Sequence, residues 1–300
     1  MRVAAIINCE AGSVRGAGLD AESLSAMFRQ AGYEPDVRFV PGEKAVEAAR
    51  EALEAGAEVV AAGGGDGTIR AIASALVGGG VPLGVLPLGT LNHFARDLGI
   101  PVDLQAAVDL LGSGSVRALD VGEVNGEIFV NNSVLGFYPS TVKVRDHVRR
   151  VSDRGKWIAA AIALAKVVPR IPTLRVRVSA EGRAIVRDTH FVFIGNNEYE
   201  LNLFTYSARS RLESGLLHLY LAKTRSRIGL FGLALLGLVR DVKRMKGFDC
   251  WSAPDLTIET RRKSLPVYLD GEVVMLPTPL IYKTRARALR VVLPAATARP

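Results

Sequence analysis

Two hydrophobic rhythms alternate along the first 118 residues. Val3–Ile7 is an unbroken apolar run, the pattern of a strand buried on both faces. Residues 18–31 carry helical spacing and stop at Gly32. Glu34–Val40 predicts a second strand, and the Ala- and Glu-rich stretch Glu43–Glu54 a helix. Glu58–Ala62 predicts a third strand, Thr68–Leu76 a helix and Pro82–Leu86 a fourth strand. This alternation predicts an α/β domain over residues 1–118, a parallel sheet with helices on both faces.

From Ser115 onward strand patterns dominate. Ala118–Val124, Glu127–Val134, Leu174–Ala180, Ala184–Asn196, Leu216–Leu221, Asp255–Thr260, Pro266–Leu269 and Leu289–Leu293 all predict strands. Asn125-Gly126 between the first two is a hairpin signal. Asp146–Val168 and Arg227–Met245 predict helical insertions. The expectation is a predominantly antiparallel β-sandwich domain over 119–282, with 283–300 as a stretch that could pack back on the first domain.

Composition bounds this picture without naming a chemistry. Of 300 residues, 49% are apolar and 23% charged, enough to bury two cores. Cys9 and Cys250 lie far apart without metal-ligand spacing, which points to a reducing compartment. The opening apolar run is too short for a secretion signal and reads as a buried strand. The most apolar later stretch, Ile228–Val239, falls short of the roughly 20 residues that cross a bilayer. A soluble or peripheral protein is expected.

Charge is divided between the halves. Residues 1–118 hold 9 Lys and Arg against 14 Asp and Glu, net −5, and residues 119–300 hold 29 against 16, net +13. The basic half fits an anionic surface or a merely solvated face. Aromatics at 6% and the lack of a nucleic-acid motif argue against nucleic acid. The cytoplasmic leaflet of a membrane is the other anionic surface.

The sharpest local signal is Val59-Val60-Ala61-Ala62-Gly63-Gly64-Gly65-Asp66-Gly67-Thr68, a buried strand running into glycines and then a helix. Glycines let phosphates approach the main chain, and the helix start offers N–H groups. Asp66 fits such a turn if Mg²⁺ sits between it and the phosphates. Thr68 can cap the helix or bond a phosphate oxygen. The plainer alternative is a tight turn with Asp66 or Thr68 as a cap. It is not a Walker loop, because no Gly-Lys-Ser/Thr follows. A second turn, Pro87-Leu88-Gly89-Thr90-Leu91-Asn92, repeats the arrangement. In a parallel sheet the two loops meet at the carboxyl edge, so Thr90 and Asn92 can face the same nucleotide.

Gly64-Gly65-Asp66-Gly67-Thr68 and Pro87-Leu88-Gly89-Thr90-Leu91-Asn92, continued by Phe94-Ala95-Arg96-Asp97-Leu98-Gly99-Ile100-Pro101, resemble the paired signatures of the diacylglycerol kinase and sphingosine kinase superfamily. The resemblance runs on through Leu119-Asp120-Val121-Gly122, Phe129–Phe137, Ile194–Tyr199 and Ser214–Leu219 to Leu269-Asp270-Gly271-Glu272. It implies a first domain like that of phosphofructokinase and NAD kinase. It implies an ATP- and Mg²⁺-dependent kinase acting on a membrane lipid hydroxyl, with the site in the interdomain cleft. Asn8, Gly64, Gly65, Asp66, Gly67, Thr68, Thr90 and Asn92 then serve the nucleotide. Asp66, Asp120 and Glu213 serve metal. Asp270 is the general base and Glu272 its support. On spacing alone, without the resemblance, a surface hairpin turn is the favoured reading of Asp270-Gly271.

Four departures leave the lipid open. Arg70 and Ala71 replace the family's usual Asn and Glu, and His93 an Asp. Asn8 lacks the following Pro, and Glu213-Ser214-Gly215 stands where an Asp-Gly is common. The apolar, basic-bounded segments Ser226–Val239 and 146–166 fit an interfacial position, a core helix or a homodimer contact. Peripheral attachment at the cytoplasmic face of the membrane is expected. An NAD kinase-like phosphotransferase and a non-catalytic lipid- or nucleotide-binding relative are the alternatives.

Overall fold

The computed structural model describes residues 1–12, 14, 18–136, 173–198, 212–223, 226 and 247–295. The helical insertions expected at 146–168 and 227–245 lie outside the described residues. Two compact units emerge, Met1–Val121 with Arg285–Pro300, and Gly122–Thr284.

The first unit is the expected α/β domain. Strands β1 (Arg2–Asn8), β2 (Glu34–Val40), β3 (Val59–Gly64) and β4 (Leu83–Pro87) pair in parallel in the order β2-β1-β3-β4. Helices α1 (Ala21–Gln30), α2 (Ala45–Glu54) and α3 (Asp66–Leu76) follow successive strands. Each buries an apolar stripe, Leu24 and Phe28 on α1, and Ile69, Ile72 and Leu76 on α3. Asp20 starts α1 through a capping box with Ser23. Two further helices, α4 (His93–Asp97) and α5 (Leu104–Ser113), were not marked by periodicity. The second carries a plain start signal, since the Asp103 carboxylate accepts the Ala106 N–H at 2.9 Å.

The second unit is an antiparallel sandwich. One layer orders β12 (Phe248–Ala253), β11 (Leu217–Ala222), β10 (Phe191–Asn196), β7 (Asn132–Gly136), β14 (Ser264–Leu269) and β15 (Glu272–Pro277). The other joins the first residues of β16 (Leu280–Leu293) to β13 (Asp255–Thr260), β8 (Leu174–Ala180) and β9 (Arg183–Thr189). Both layers feed one core, which includes Leu135, Ile194, Leu219 and Val267 from the first and Val176, Val178, Ile258 and Tyr282 from the second. Inside it the Tyr282 hydroxyl lies 2.9 Å from Ser133 Oγ, and burial pushes the phenol up. Asn125 and Gly126 turn between β5 (Ser115–Val124) and β6 (Glu127–Phe129) with positive φ, as their dipeptide predicts.

Two of the expected strands are broken. Glu127–Val134 splits into β6 and β7 at Val130–Asn131, where the backbone turns its N–H groups to a carboxylate rather than to a neighbouring strand. Ala184–Asn196 splits at His190, where Thr189 Oγ1 donates to the Ala222 carbonyl at 2.9 Å and accepts the Phe191 N–H at 3.2 Å. Strand β16 contributes residues to both units, pairing with β13 at its start and with β4, through Val291 and Leu83, near its end.

Candidate functional site

In the first unit the expected nucleotide residues converge at the carboxyl edge of the parallel sheet. Gly64 ends β3 beside Pro87 at the end of β4, so the two glycine turns leave the sheet side by side. Their main chains are in contact. A Cβ built on Gly89 would lie 2.4 Å from Gly65 Cα, so only glycine allows this approach. A Cβ on Gly64 would meet Thr68 Oγ1 at 2.7 Å.

Polar side chains fix the turns. Both Asp66 oxygens reach across to the start of α4, Oδ2 accepting the His93 N–H at 3.1 Å and Oδ1 the Phe94 N–H at 2.9 Å. Asp66 therefore ties the first turn to the second. Thr68 is buried and its Oγ1 accepts from Asn8 Nδ2 at 3.0 Å, linking α3 to the end of β1. It acts as a strut rather than a cap. Asn92 closes its own turn, Oδ1 accepting the Gly89 N–H and Nδ2 donating to the Pro87 carbonyl, both at 2.9 Å. Its φ of +50° is left-handed, which asparagine tolerates better than most residues. Thr90 faces Gly12, where a Cβ would sit 4.0 Å from Thr90 Oγ1.

The start of α3 stays open. Gly65 is its N-cap and supplies no capping side chain. With N–H groups at a helix start beside a glycine turn, the arrangement suits a polyphosphate.

Asn92→Ala removes two hydrogen bonds worth about 1 kcal/mol each and puts alanine in a left-handed conformation costing about 1 kcal/mol more. A fall of roughly 5–10 °C in the first unit's unfolding midpoint is expected by calorimetry. Asn92→Gly should recover only the backbone part.

Asp120 also belongs to this unit. It is buried on β5, and Oδ1 accepts the Arg287 N–H at 2.9 Å. Among the described residues, no three His, Cys, Asp or Glu side chains form a metal cluster. Mg²⁺ needs none, because it commonly takes one or two carboxylates with phosphates and water. Asp66 suits that pattern, since each of its oxygens accepts one backbone N–H and a carboxylate oxygen has two lone pairs.

In the second unit Asp270 and Gly271 make the hairpin turn between β14 and β15, with φ of +51° and +96°. The residue is nevertheless only 9% exposed, and its carboxylate turns to the backbone of Val130–Asn132. Oδ2 accepts the Val130 N–H at 2.7 Å, and Oδ1 accepts Asn131 and Asn132 N–H at 2.7 and 3.0 Å. Asp270-Gly271 is thus the hairpin turn that its dipeptide predicts, and its carboxylate is hydrogen-bonded to the backbone of Val130–Asn132. Glu272 is exposed at the first position of β15.

A polar chain continues from this turn and was not foreseen. Asn196 Nδ2 donates to the Val130 carbonyl at 3.0 Å, and its N–H to the Asn131 carbonyl at 2.9 Å. Asn197, in the left-handed region, accepts at Oδ1 from Ser214 Oγ at 2.6 Å and Ser214 N at 2.8 Å. Both asparagines are wholly buried. Their signal was the paired amides Asn131-Asn132 and Asn196-Asn197 inside apolar strands, since a buried amide must be paired to be tolerated. Glu213 precedes Ser214 and is partly buried.

A model of the diacylglycerol kinase catalytic domain matches residues 2–124. A Pseudomonas aeruginosa protein named "Probable lipid kinase YegS-like" is 33% identical over 286 residues, covering 92% of this chain and 90% of its own. A Bacillus subtilis protein named "Diacylglycerol kinase" is 42% identical over 108 residues, 35% of this chain and 36% of its own. A crystal structure of a diacylglycerol kinase from Bacillus anthracis shares the fold, with a TM-score of 0.69 at 20% identity over 97% of this chain and 96% of its own. With paired glycine turns at the sheet edge and likeness running the length of the sequence, the chain belongs to the diacylglycerol kinase catalytic-domain family and is a lipid kinase.

Proposed function

We propose that the protein transfers the γ-phosphoryl group of ATP to the hydroxyl of a membrane lipid of the diacylglycerol type. The observation that carries this reading is the backbone contact of Gly65 with Gly89 beside the open start of α3. It leaves main-chain N–H groups, rather than side chains, to meet the phosphates. Asp66 would hold Mg²⁺, with Asp120 and Glu213 as the further metal-serving carboxylates, and the ion would neutralise phosphate charge.

Phosphoryl transfer asks the protein mainly for positioning and for one acceptor to orient the nucleophile. Asp270 takes that role for the lipid hydroxyl, with Glu272 supporting it at the same turn. Three backbone donors hold its carboxylate in one orientation, so the acceptor is placed before substrate arrives. Asn8, Thr68 and Asn92 act as struts of the phosphate turns, and Thr90 and Gly67 complete the nucleotide contacts.

A lipid acceptor is favoured over a soluble dinucleotide by the aromatic cluster of Phe193, Tyr220 and Tyr268 beside Val134. Burial raises the Tyr268 phenol above its ordinary value. The deciding experiment incubates the protein with γ-labelled ATP, Mg²⁺ and a membrane lipid extract. Label is expected in a lipid carrying a free hydroxyl near its headgroup. Label in NAD and in no lipid would replace this reading with the dinucleotide kinase.

A further inference from the structure

Antiparallel sheets commonly bury one face and leave the other to water. The six-stranded layer departs from this. Its inner face feeds the sandwich core, yet its outer face carries a continuous row of facing residues: Cys250, Tyr220, Phe193, Val134, Tyr268 and Val273. The four middle members are buried. At the β15 end the row opens, with Val273 52% and Met275 60% exposed. Pro266 faces Met275 across the hairpin, and Pro277 follows on β15.

Among the described residues β15 is also the last strand of its sheet. Edges are normally guarded by charge, especially lysine. Between Val273 and Pro277 this one has no charged residue. The charges stand instead at the end of the hairpin, where Arg261, Arg262 and Lys263 form the turn before β14 and are all exposed. None of the three pairs with an acid among the described residues.

The basic turn is held in place. Thr278 N–H donates to the Lys263 carbonyl at 3.0 Å, and Thr278 Oγ1 donates to the Arg262 carbonyl. The Arg262 N–H donates to Thr260 Oγ1 at 3.3 Å. The three cations therefore sit on a fixed turn, whose last residue, Lys263, stands about 10 Å along the strand from the pair Pro266 and Met275 at the usual rise per residue.

We propose that this hairpin surface, Pro266, Val273 and Met275 with the turn Arg261–Lys263, seats the protein on an anionic lipid bilayer. The apolar side chains enter the interface while the cations meet anionic headgroups, the division that interfacial anchors use. Charge decides for this occupant: an uncompensated cationic turn beside an apolar surface complements an anionic leaflet. The proposal rests on the lipid-kinase reading only in expecting a bilayer-borne substrate.

The test measures co-sedimentation, without ATP, with vesicles of phosphatidylglycerol and phosphatidylcholine and with vesicles of phosphatidylcholine alone. The wild type should bind the anionic vesicles and lose binding as salt rises. R261Q/R262Q/K263Q should bind them about a hundredfold more weakly, at about fivefold for each cation. V273S/M275S should weaken binding to both kinds of vesicle. Both variants should keep wild-type turnover on a short-chain diacylglycerol in neutral detergent micelles, which reports folding and the kinase reaction separately from docking.

Wild-type vesicle binding by the triple variant, with that turnover intact, overturns the docking surface and leaves the kinase reading standing. Failure of every form to phosphorylate the micellar lipid, with the vesicle difference present, sinks the kinase reading alone. If V273S/M275S instead splits a dimer that forms without vesicles, as read by light scattering, the face belongs to a second copy and the proposal falls.

Discussion

Gly89→Ala should lower the turnover of phosphoryl transfer about a hundredfold, the scale of loss that a misplacement of about 1 Å brings to a positioned reaction. The added methyl would sit 2.4 Å from Gly65 Cα, 2.8 Å from Asn92 Oδ1 and 3.0 Å from Gly65 N. Carbon atoms rest about 3.5–4.0 Å apart, so more than an ångström must be found. Neither neighbour can yield cheaply. Gly65 is held between β3 and α3, its carbonyl accepting the Ile69 N–H at 3.0 Å, and the Asn92 amide is engaged at both ends. The turns must separate, and the overlap itself costs about 1–3 kcal/mol of stability. ATP affinity should fall with turnover, measured by calorimetric titration of nucleotide and by initial rates. Gly80→Ala is the matched control, because a Cβ there meets nothing within 4 Å. Unchanged ATP affinity in folded Gly89→Ala would remove the paired turns from the phosphate site.

What could be read from residue order follows from how local each cause is. The parallel strands are legible because burial on both faces leaves unbroken runs, as in Val3–Ile7 and Val59–Ala62. Glu34–Val40, Leu174–Ala180 and Asp255–Thr260 show the boundaries expected of them. The glycine turns are legible because glycine and its neighbours sit next to one another in sequence.

Non-local causes were hidden. That Gly89 must be glycine depends on Gly65, a residue brought beside it only by the pairing of β3 with β4. The break between β6 and β7 depends on Asp270, about 140 residues on. Nothing in Phe129-Val130-Asn131-Asn132 marks it except two amides in an apolar stretch. Phe248–Ala253 escaped notice for a related reason. Among the described residues it is the last strand on its side of the sheet, and its polar positions give no clean alternation. Asp66 belongs with these. The side chain bonds the start of α4 rather than its own helix, a role that only the second turn's position could reveal.

Asp270→Asn should act on two levels at once, and separating them decides what the carboxylate does. The isosteric change keeps one oxygen as acceptor and converts the other to a donating NH₂. If the oxygen takes the Oδ1 place it can still accept from Asn131 and Asn132, but the new NH₂ then faces the Val130 N–H at 2.7 Å, donor against donor. The reverse orientation is worse, because it strands two donors. At least one buried N–H loses its partner, at a cost of about 1–3 kcal/mol. The second unit's unfolding midpoint should drop by several degrees, at roughly 2–4 °C for each kcal/mol in a domain of this size. The reaction should suffer far more. Loss of an acceptor that orients the lipid hydroxyl lowers turnover about 10²–10⁴-fold, while ATP affinity, set by the other unit, stays at the wild-type value. Glu272→Gln, at an exposed position, tests the supporting carboxylate with little change in stability. Rates taken 20 degrees or more below the variant's midpoint, about as far as its loss of stability requires, keep unfolding out of the comparison. Turnover within a few-fold of wild type under those conditions would confine Asp270 to clasping the turn at Val130–Asn132.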